Sequence, residues 1–179
     1  MAEIRAFPRA RLVCGIIAAL DGHFELAEAR LASAFGEIES RSARFPFEFT
    51  DYYRAEMGGG LRRGFLSFRP LVDPAMLPEA KIRTNALERE AAAELGAGAR
   101  IVNLDPGIVT SAALIMATAK DFSHRIPLRD GIYGHLELLF TKGAIRRLDW
   151  TYPDFAQEGY QAFFLAVRRK LLLDLRAGS

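Results

Sequence analysis

The sequence predicts an α+β domain whose first half is a ferredoxin-like split βαβ unit, extended by a C-terminal antiparallel β-meander and a long C-terminal helix. Three observations predict this class. Strand-like and helix-like segments follow the order strand, helix, strand, strand, helix, strand up to Asp105. Glycine turns at Asp130-Gly131 and Lys142-Gly143 separate three further apolar runs. Apolar side chains then recur at helical spacing over residues 155–175.

The first elements of the predicted βαβ unit are recognised from apolar runs and glycine stops. Residues 12–19 form a continuous apolar run, which is typical of a buried strand. Apolar residues at helical spacing follow from residue 24, and Gly36 ends that helix. Residues 37–49 contain alternating aromatic side chains and indicate extended backbone, and residues 62–68 form the next strand.

The second helix of the unit begins at Asp73-Pro74, because aspartate caps a helix and proline fits its first position. A short strand follows at residues 101–104, and Asp105-Pro106-Gly107 predicts a turn. The apolar spacing of residues 109–119 predicts a third helix. The strands of the meander are expected at residues 124–128, 132–140 and 144–148.

The bulk composition suits a single domain over residues 1–179, because 50% of the residues are hydrophobic and 26% are charged. The net charge of +2 is too balanced to favour a nucleic acid or a membrane surface as the partner. No apolar run is long enough to cross a bilayer. The single cysteine, Cys14, excludes an internal disulfide, and we expect a cytoplasmic protein without an export signal.

Several common functional motifs are missing from the sequence. It contains neither the cysteine pairs nor the H-E-x-x-H pattern of zinc sites, and it has no G-x-S-x-G nucleophile elbow. The glycines of residues 58–60 lack the spacing and the lysine of a phosphate-binding P-loop. Zinc chemistry, serine hydrolysis and dinucleotide binding therefore have no support in the sequence.

A first group of candidate residues follows from the expected strand pairing. If Asp130-Gly131 and Lys142-Gly143 close two hairpins, His124 faces Glu137 and His135 faces Trp150. All four side chains would then share one sheet face. A carboxylate orients a histidine and makes it more basic, which suits a general base or a metal ligand. The alternative is a half-exposed sheet face with an ordinary ion pair, and a register slip of one residue would separate the group.

A second group lies on the helix that begins at Asp73-Pro74. Lys81, Asn85 and Glu88 are spaced i, i+4, i+7 and therefore form one stripe. Such a stripe can line a cleft and hold a polar ligand. The alternative reading is a solvated helix surface.

A third group consists of aspartates beside turns or aromatic residues: Asp51, Asp105, Asp121 and Asp154. Of these, Asp105 and Asp121 are candidate Mg²⁺ ligands on a phosphorylated substrate, whose oxygens Lys120 and Arg125 would neutralise. Turn capping is the alternative role of Asp105 and Asp154, because each adjoins a proline.

Seven phrases spread over the chain resemble a bacterial and archaeal family that is catalogued as a domain of unknown function. They are FPFEFTDYY (45–53), EMGGGLRRGFLSF (56–68), KIRTNALE (81–88), VNLDPG (102–107), TAKDFSHRI (118–126), GIY (131–133) and WTYPDF (150–155). The resemblance implies a single-domain protein and no particular activity. It favours one group of site residues: Asp51, Tyr52, Lys81, Asn85, Glu88, Asn103, Asp105, Lys120, Asp121, His124, Arg125, Trp150, Tyr152 and Asp154.

Two hypotheses on function remain open at this point. The first is an enzyme, or an enzyme-like binder, for a small phosphorylated or nucleotide-like ligand. In it the anion binds to Lys120 and Arg125, a ring stacks on Trp150 or Tyr52, and the catalytic residues are His124, Glu137 and Asp121. This hypothesis needs a concave pocket that gathers His124, Lys120 and Asp105.

The second hypothesis is a non-catalytic module that binds another protein or a second copy of itself. Its contacts would come from the aromatic-rich residues 45–53 and from the last helix. It needs a flat, apolar, exposed patch, with the polar residues scattered over separate surfaces.

Overall fold

An antiparallel sheet of nine strands runs through the computed structural model, which describes residues 3–50 and 52–177. The strands are β1 (Ala10–Ala18), β2 (Ile38–Arg41), β3 (Phe45–Pro46), β4 (Arg62–Val72), β5 (Val102–Val109), β6 (Ala113–Thr118), β7 (Ile126–Arg129), β8 (Ile132–Phe140) and β9 (Ile145–Arg147). Neighbours follow the order β2-β4-β1-β5-β6-β8-β7, with β3 beside β4 and β9 beside β8. The predicted α+β class and the C-terminal antiparallel strands are confirmed.

Helices cover both faces of this sheet. They are α1 (Asp21–Phe35), α2 (Arg54–Met57), α3 (Leu77–Glu94) and α4 (Glu158–Ala177). Leu31 of α1 and Leu87 of α3 belong to the core on one face, whereas Phe164 and Leu171 of α4 belong to the core on the other. The long C-terminal helix is therefore confirmed, and so is the helix start at Asp73, whose carboxylate accepts a hydrogen bond from the Ala75 amide at 2.9 Å. No helix in the described residues is long and apolar enough to span a bilayer.

The structure overturns the prediction for residues 105–119. Asp105-Pro106-Gly107 is not a turn, because it lies inside β5, and the predicted helix at 109–119 is the end of β5 followed by β6. The reversal comes instead after Thr110, whose hydroxyl accepts hydrogen bonds from the amides of Ala112 and Ala113 at 3.2 and 2.9 Å. Both faces of this hairpin are covered, so its strands carry apolar residues without alternation, and such a run is easily mistaken for a helix.

The predicted register of the β7–β8 hairpin is wrong by one residue. Arg129 and Ile132 flank the Asp130-Gly131 turn as expected, but the register shifts between Pro127 and Arg129. Ile126 therefore pairs with Gly134 instead of His135. Proline has no N–H to donate to the ladder, and strands commonly bulge at such positions. The register expected between β8 and β9 is confirmed, since Phe140 pairs with Ile145 and Leu138 with Arg147.

Strands β5 and β6 are paired along only part of their length. Their registered pairs run from Val109–Leu114 to Gly107–Met116. The pairing stops at Pro106, so the first residues of β5 remain bonded to β1 but have no partner in β6. The sheet is open at this point, and helix α3 lies close enough for its polar side chains to reach β5.

Gly107 provides a test of the close approach of these two strands. A Cβ atom at this position would lie 2.5 Å from the Met116 sulfur and 2.9 Å from the Ile115 carbonyl oxygen. We expect Gly107→Ala to lower the free energy of unfolding by about 1–3 kcal/mol, as other overpacking substitutions do. Urea unfolding followed by circular dichroism measures this loss.

The control for Gly107→Ala is Gly98→Ala, because a Cβ atom at Gly98 would meet no atom within 4 Å. We expect this variant to be as stable as the wild type or slightly more stable. Equal stability of the two alanine variants would contradict the pairing of β5 with β6.

Candidate functional site

A cavity of about 380 Å³ lies where β5 and β6 separate, and side chains from both faces of the sheet line it. Met116 and Phe155 join it to the core under α4, and the segment that follows β3 covers it. Its wall is formed by Phe47, Phe49, Thr50, Tyr52, Tyr53, Arg63, Lys81, Asn85, Arg100, Asn103, Asp105, Met116, Ala117, Thr118, Ala119, Lys120, His135, Glu137, Tyr152, Pro153, Asp154 and Phe155.

The floor of the cavity contains a buried arginine held by two aspartates. Arg63 on β4 donates to Asp154 at 2.6 Å and to Asp105 at 3.2 Å. The side chains of Arg63 and Asp154 are 7% and 4% exposed. Gly15 on β1 makes room for the guanidinium, because a Cβ atom there would lie 3.2 Å from the Arg63 Nη2 atom. The ion pairs therefore join β4, β5 and the turn before α4.

Asp105 is surrounded by donors. Its Oδ2 atom also accepts a hydrogen bond from Asn103 at 2.8 Å, and its Oδ1 atom lies 3.6 Å from the Lys81 ammonium. Burial alone would raise the pKa of Asp105, but the positive charges of Lys81 and Arg63 hold it below the ordinary value. Asp105 is therefore ionised at neutral pH and already paired.

The stripe Lys81, Asn85 and Glu88 faces inward from α3. Lys81 donates to the Leu104 carbonyl at 3.0 Å, and Glu88 accepts from the Leu104 amide at 2.7 Å. These two residues therefore satisfy the backbone of β5 at the point where β6 is absent. Asn85 lies between them on the helix and lines the cavity without a hydrogen bond to any described residue.

Two cations, Lys120 and Arg125, lie at the mouth of the cavity, and each has different neighbours. The Lys120 ammonium lies 3.8 Å from the centre of the Tyr52 ring. Arg125 donates to the Lys120 carbonyl and to the Tyr152 hydroxyl, each at 2.7 Å. Within the described part of the chain, neither cation has a carboxylate within 4 Å. An incoming anion would therefore meet positive charges that no aspartate or glutamate of residues 3–50 and 52–177 pairs with.

Two histidines stand beside this mouth. The Nε2 atom of His124 lies 3.1 Å from the Nδ1 atom of His135, and the Nε2 atom of His135 lies 2.9 Å from the Glu137 carboxylate. The Trp150 ring stacks on His124 with an interplanar angle of 7°. The four residues predicted to share a face therefore do converge, but His135 stands between His124 and Glu137.

The cavity gathers most of the predicted site residues. Those that line it are Tyr52, Lys81, Asn85, Asn103, Asp105, Lys120, Glu137, Tyr152 and Asp154. His124 and Arg125 contact its wall through His135, and Trp150 stacks on His124. Glu88 lies behind the wall, Asp121 is exposed and apart from it, and Asp51 is outside the described residues.

The two proposed magnesium ligands have different surroundings in the described part of the chain. Asp121 is exposed and does not line the cavity, whereas Asp105 is surrounded by Arg63, Lys81 and Asn103. Cationic neighbours disfavour a divalent ion at Asp105. Across residues 3–50 and 52–177, no three histidine, cysteine, aspartate or glutamate side chains are grouped to hold a metal ion.

Sequence reasoning missed two important cations of the wall, Arg63 and Arg100. Arg100 donates to Asn103 at 3.0 Å and pairs with Glu56 at 2.7 Å, which ties the segment over the cavity to β5. A signal for Arg63 was present, because it precedes the apolar residues of β4 in a strand that must be buried. A charge in such a strand needs a buried counter-ion.

The fold and the site together define an α+β protein with a polar, partly charged cavity at a split in its sheet. The chain belongs to the family described as a domain of unknown function (DUF4416), whose sequence profile matches residues 8–171. The comparison with curated proteins and the comparison with solved structures returned no match. The family resemblance noted from the sequence is confirmed.

The stack of Trp150 on His124 gives the site a built-in spectroscopic probe, because Trp150 is the one tryptophan of the chain. The pKa of His124 lies below the ordinary value of about 6.5. The main cause is partial loss of solvent around the imidazole, and the nearby His135 and Arg125 lower the pKa further. A stacked imidazolium quenches indole emission. Tryptophan fluorescence should therefore rise with pH in a step whose midpoint lies below about 6.5.

Two variants test whether that fluorescence step comes from the titration of His124. His124→Gln should remove it, and His23→Gln should leave it unchanged, because His23 lies on α1. A step that persists without His124, or that has its midpoint above the ordinary histidine pKa, would contradict the stacked geometry.

Proposed function

We propose that this protein binds a small phosphorylated or nucleotide-like molecule in the cavity between β5 and β6. The observation that carries the proposal is the pair of cations at the mouth, Lys120 and Arg125, which have no carboxylate partner among the described residues. A volume of about 380 Å³ falls within the range of small-molecule pockets.

The distribution of charge supports an anion at the mouth rather than at the floor. Arg63 and Lys81 at the floor are already opposed by Asp105 and Asp154. Further negative charge there would be repelled by the two carboxylates. Lys120 and Arg125 offer an ammonium and a guanidinium, the two groups that most often hold phosphate oxygens in proteins.

Aromatic rings beside these cations support a flat or apolar portion in the same molecule. Tyr52 and Tyr152 line the cavity and are 56% and 44% exposed. Phe47 and Phe49 line the cavity from the same segment as Tyr52, and Phe47 is buried. Exposed rings next to an anion site suit a nucleobase, which stacks on aromatic faces. Asn85, whose carboxamide makes no hydrogen bond to a residue that the structure describes, supplies a donor and an acceptor on the inner wall.

The alternative of a protein-interaction or self-association module has less support. The apolar side of α4 is covered by the sheet, with Phe164 and Leu171 fully buried. The other expected contact segment, residues 45–53, contributes Phe47 to a buried cluster and covers the cavity. A homo-oligomer that leaves the mouth open is compatible with the proposed binding.

Two finer assignments form part of the proposal. The order β2-β4-β1-β5, with α1 after β1 and α3 after β4, supports a ferredoxin-like first half. The single cysteine, Cys14, is buried, and burial raises the pKa of its thiol. A chain that holds its one thiol buried and neutral suits the reducing cytoplasm.

A thermal-shift screen tests the proposed function. The probes are inorganic phosphate, pyrophosphate, ribose 5-phosphate, adenosine monophosphate and guanosine triphosphate, each against the unphosphorylated parent compound where one exists. A probe present at about 100 times its Kd should stabilise the protein by about 2.7 kcal/mol. We expect stabilisation by phosphorylated compounds and not by adenosine or ribose.

Matched variants test whether the probes bind at the mouth of the cavity. Lys120→Ala and Arg125→Ala should each reduce the shift, because each removes one positive charge at the mouth. Lys142→Ala is the control, since Lys142 is an exposed lysine in the turn between β8 and β9. Absence of a shift with every probe, or an equal loss in all three variants, would contradict the proposed site.

A further inference from the structure

The contacts of His135 determine where its hydrogen resides. Arg125 donates from its Nε atom to the Nδ1 atom of His135 at 3.4 Å. A guanidinium N–H can only donate, so Nδ1 of His135 must carry a lone pair. The hydrogen of the neutral ring is therefore on Nε2, which faces the Glu137 carboxylate at 2.9 Å.

Burial keeps this arrangement in place. The side chains of His135 and Glu137 are 2% and 0% exposed. The Nε2 atom of His135 and the Oε2 atom of Glu137 lie 2.9 Å apart, and neither makes a hydrogen bond of regular geometry to a described residue. The other oxygen of Glu137 accepts a hydrogen bond from the Tyr152 amide at 2.8 Å, and the Tyr152 ring stacks on His135. Burial and the contacts with Tyr152 therefore hold the imidazole and the carboxylate against each other.

The same lone pair fixes the tautomer of the second histidine. Only one hydrogen fits between Nδ1 of His135 and Nε2 of His124, which are 3.1 Å apart. The single lone pair of His135 Nδ1 is therefore shared by two donors, Arg125 and His124, so that hydrogen is on His124 and Nδ1 of His124 is left unprotonated. No described residue donates a hydrogen bond to this nitrogen. Trp150 and Phe122 contact the ring of His124, each with a centroid distance of 5.1 Å.

We infer that His135 is a positioning residue that, with Glu137, holds His124 in the Nε2–H tautomer and so presents the His124 Nδ1 atom as a general base beside the anion site. This inference depends on the proposed function for its substrate, a phosphorylated molecule held by Lys120 and Arg125. In the proton transfer, an O–H bond of a substrate hydroxyl or of water breaks and an N–H bond forms at Nδ1. The oxygen keeps the electron pair, and His124 becomes an imidazolium.

The surroundings of His124 favour its role as a base at neutral pH. Partial desolvation, His135 and Arg125 all lower the pKa of His124, so the ring is neutral before the transfer. After the transfer, Nε2–H of His124 still donates to His135, and the ring keeps its stacked position on Trp150.

Nitrogen NMR tests the tautomer without any added compound. Long-range ¹H–¹⁵N correlation spectra of the labelled protein distinguish Nδ1–H from Nε2–H rings, and the chain has three histidines to assign. At neutral pH we expect His124 as the Nε2–H tautomer. His135→Phe removes the acceptor and should give His124 a mixture of tautomers. His135→Asn retains an acceptor near the former Nδ1 position and should restore the Nε2–H form.

Three results would overturn the positioning role. They are a wild-type His124 in the Nδ1–H form, a wild-type mixture of tautomers, or a His135→Phe variant in which the tautomer is unchanged. If the phenylalanine variant does not fold, the wild-type and asparagine spectra decide the question. His23→Gln serves as the assignment control, because His23 lies on α1.

The general-base role has a separate readout. Each phosphorylated probe that gives a thermal shift is incubated with the protein, and its conversion is followed by ³¹P NMR. We expect conversion of at least one such probe, lost at least tenfold in His124→Gln while the thermal shift is retained. Binding without any conversion would overturn the base and leave the proposed binding intact. Absence of binding would contradict the proposed function, whereas the tautomer measurement would still stand.

Discussion

Arg63 and its two aspartates are the interaction on which the site depends. The guanidinium lies below the cavity, where it binds Asp105 on β5 and Asp154 in the turn before α4. Each of these ions would cost several kcal/mol to bury alone. Together they bring three separate segments of the chain to one point, and Gly15 leaves the space that the arginine needs.

The split between β5 and β6 turns this ionic cluster into the wall of a cavity. Backbone groups that would pair across the sheet are satisfied instead by Lys81 and Glu88 from α3. The charges at the floor are therefore used in holding the fold, and they cancel one another. The charges at the mouth, Lys120 and Arg125, are held by a tyrosine ring, a carbonyl and a hydroxyl, so they remain available to an anion.

The sequence predicts the helices that flank the sheet and most of the wall, but not how the wall is assembled. Asp73-Pro74 and Gly36 mark the ends of helices through the capping preferences of these residue types, which can be read from the sequence alone. Residues 109–119 were predicted to be a helix but form strands. These strands are buried on both faces of the sheet, and such burial removes the alternation of apolar and polar residues that identifies a strand. The bulge at Pro127 was not predicted either, and it moves the partner of Ile126 from His135 to Gly134.

A double-mutant cycle between Arg63 and Asp154 tests the central claim most directly. Urea unfolding of Arg63→Met, Asp154→Leu and the double variant gives the coupling free energy, and Arg69 with Glu37, an exposed pair from the same sheet, is the reference. We expect each single variant to be strongly destabilised and the buried pair to be coupled by about 2–3 kcal/mol. The exposed pair should show coupling close to zero. Additive losses at Arg63 and Asp154 would contradict the account, because the cavity would then not depend on their ion pair.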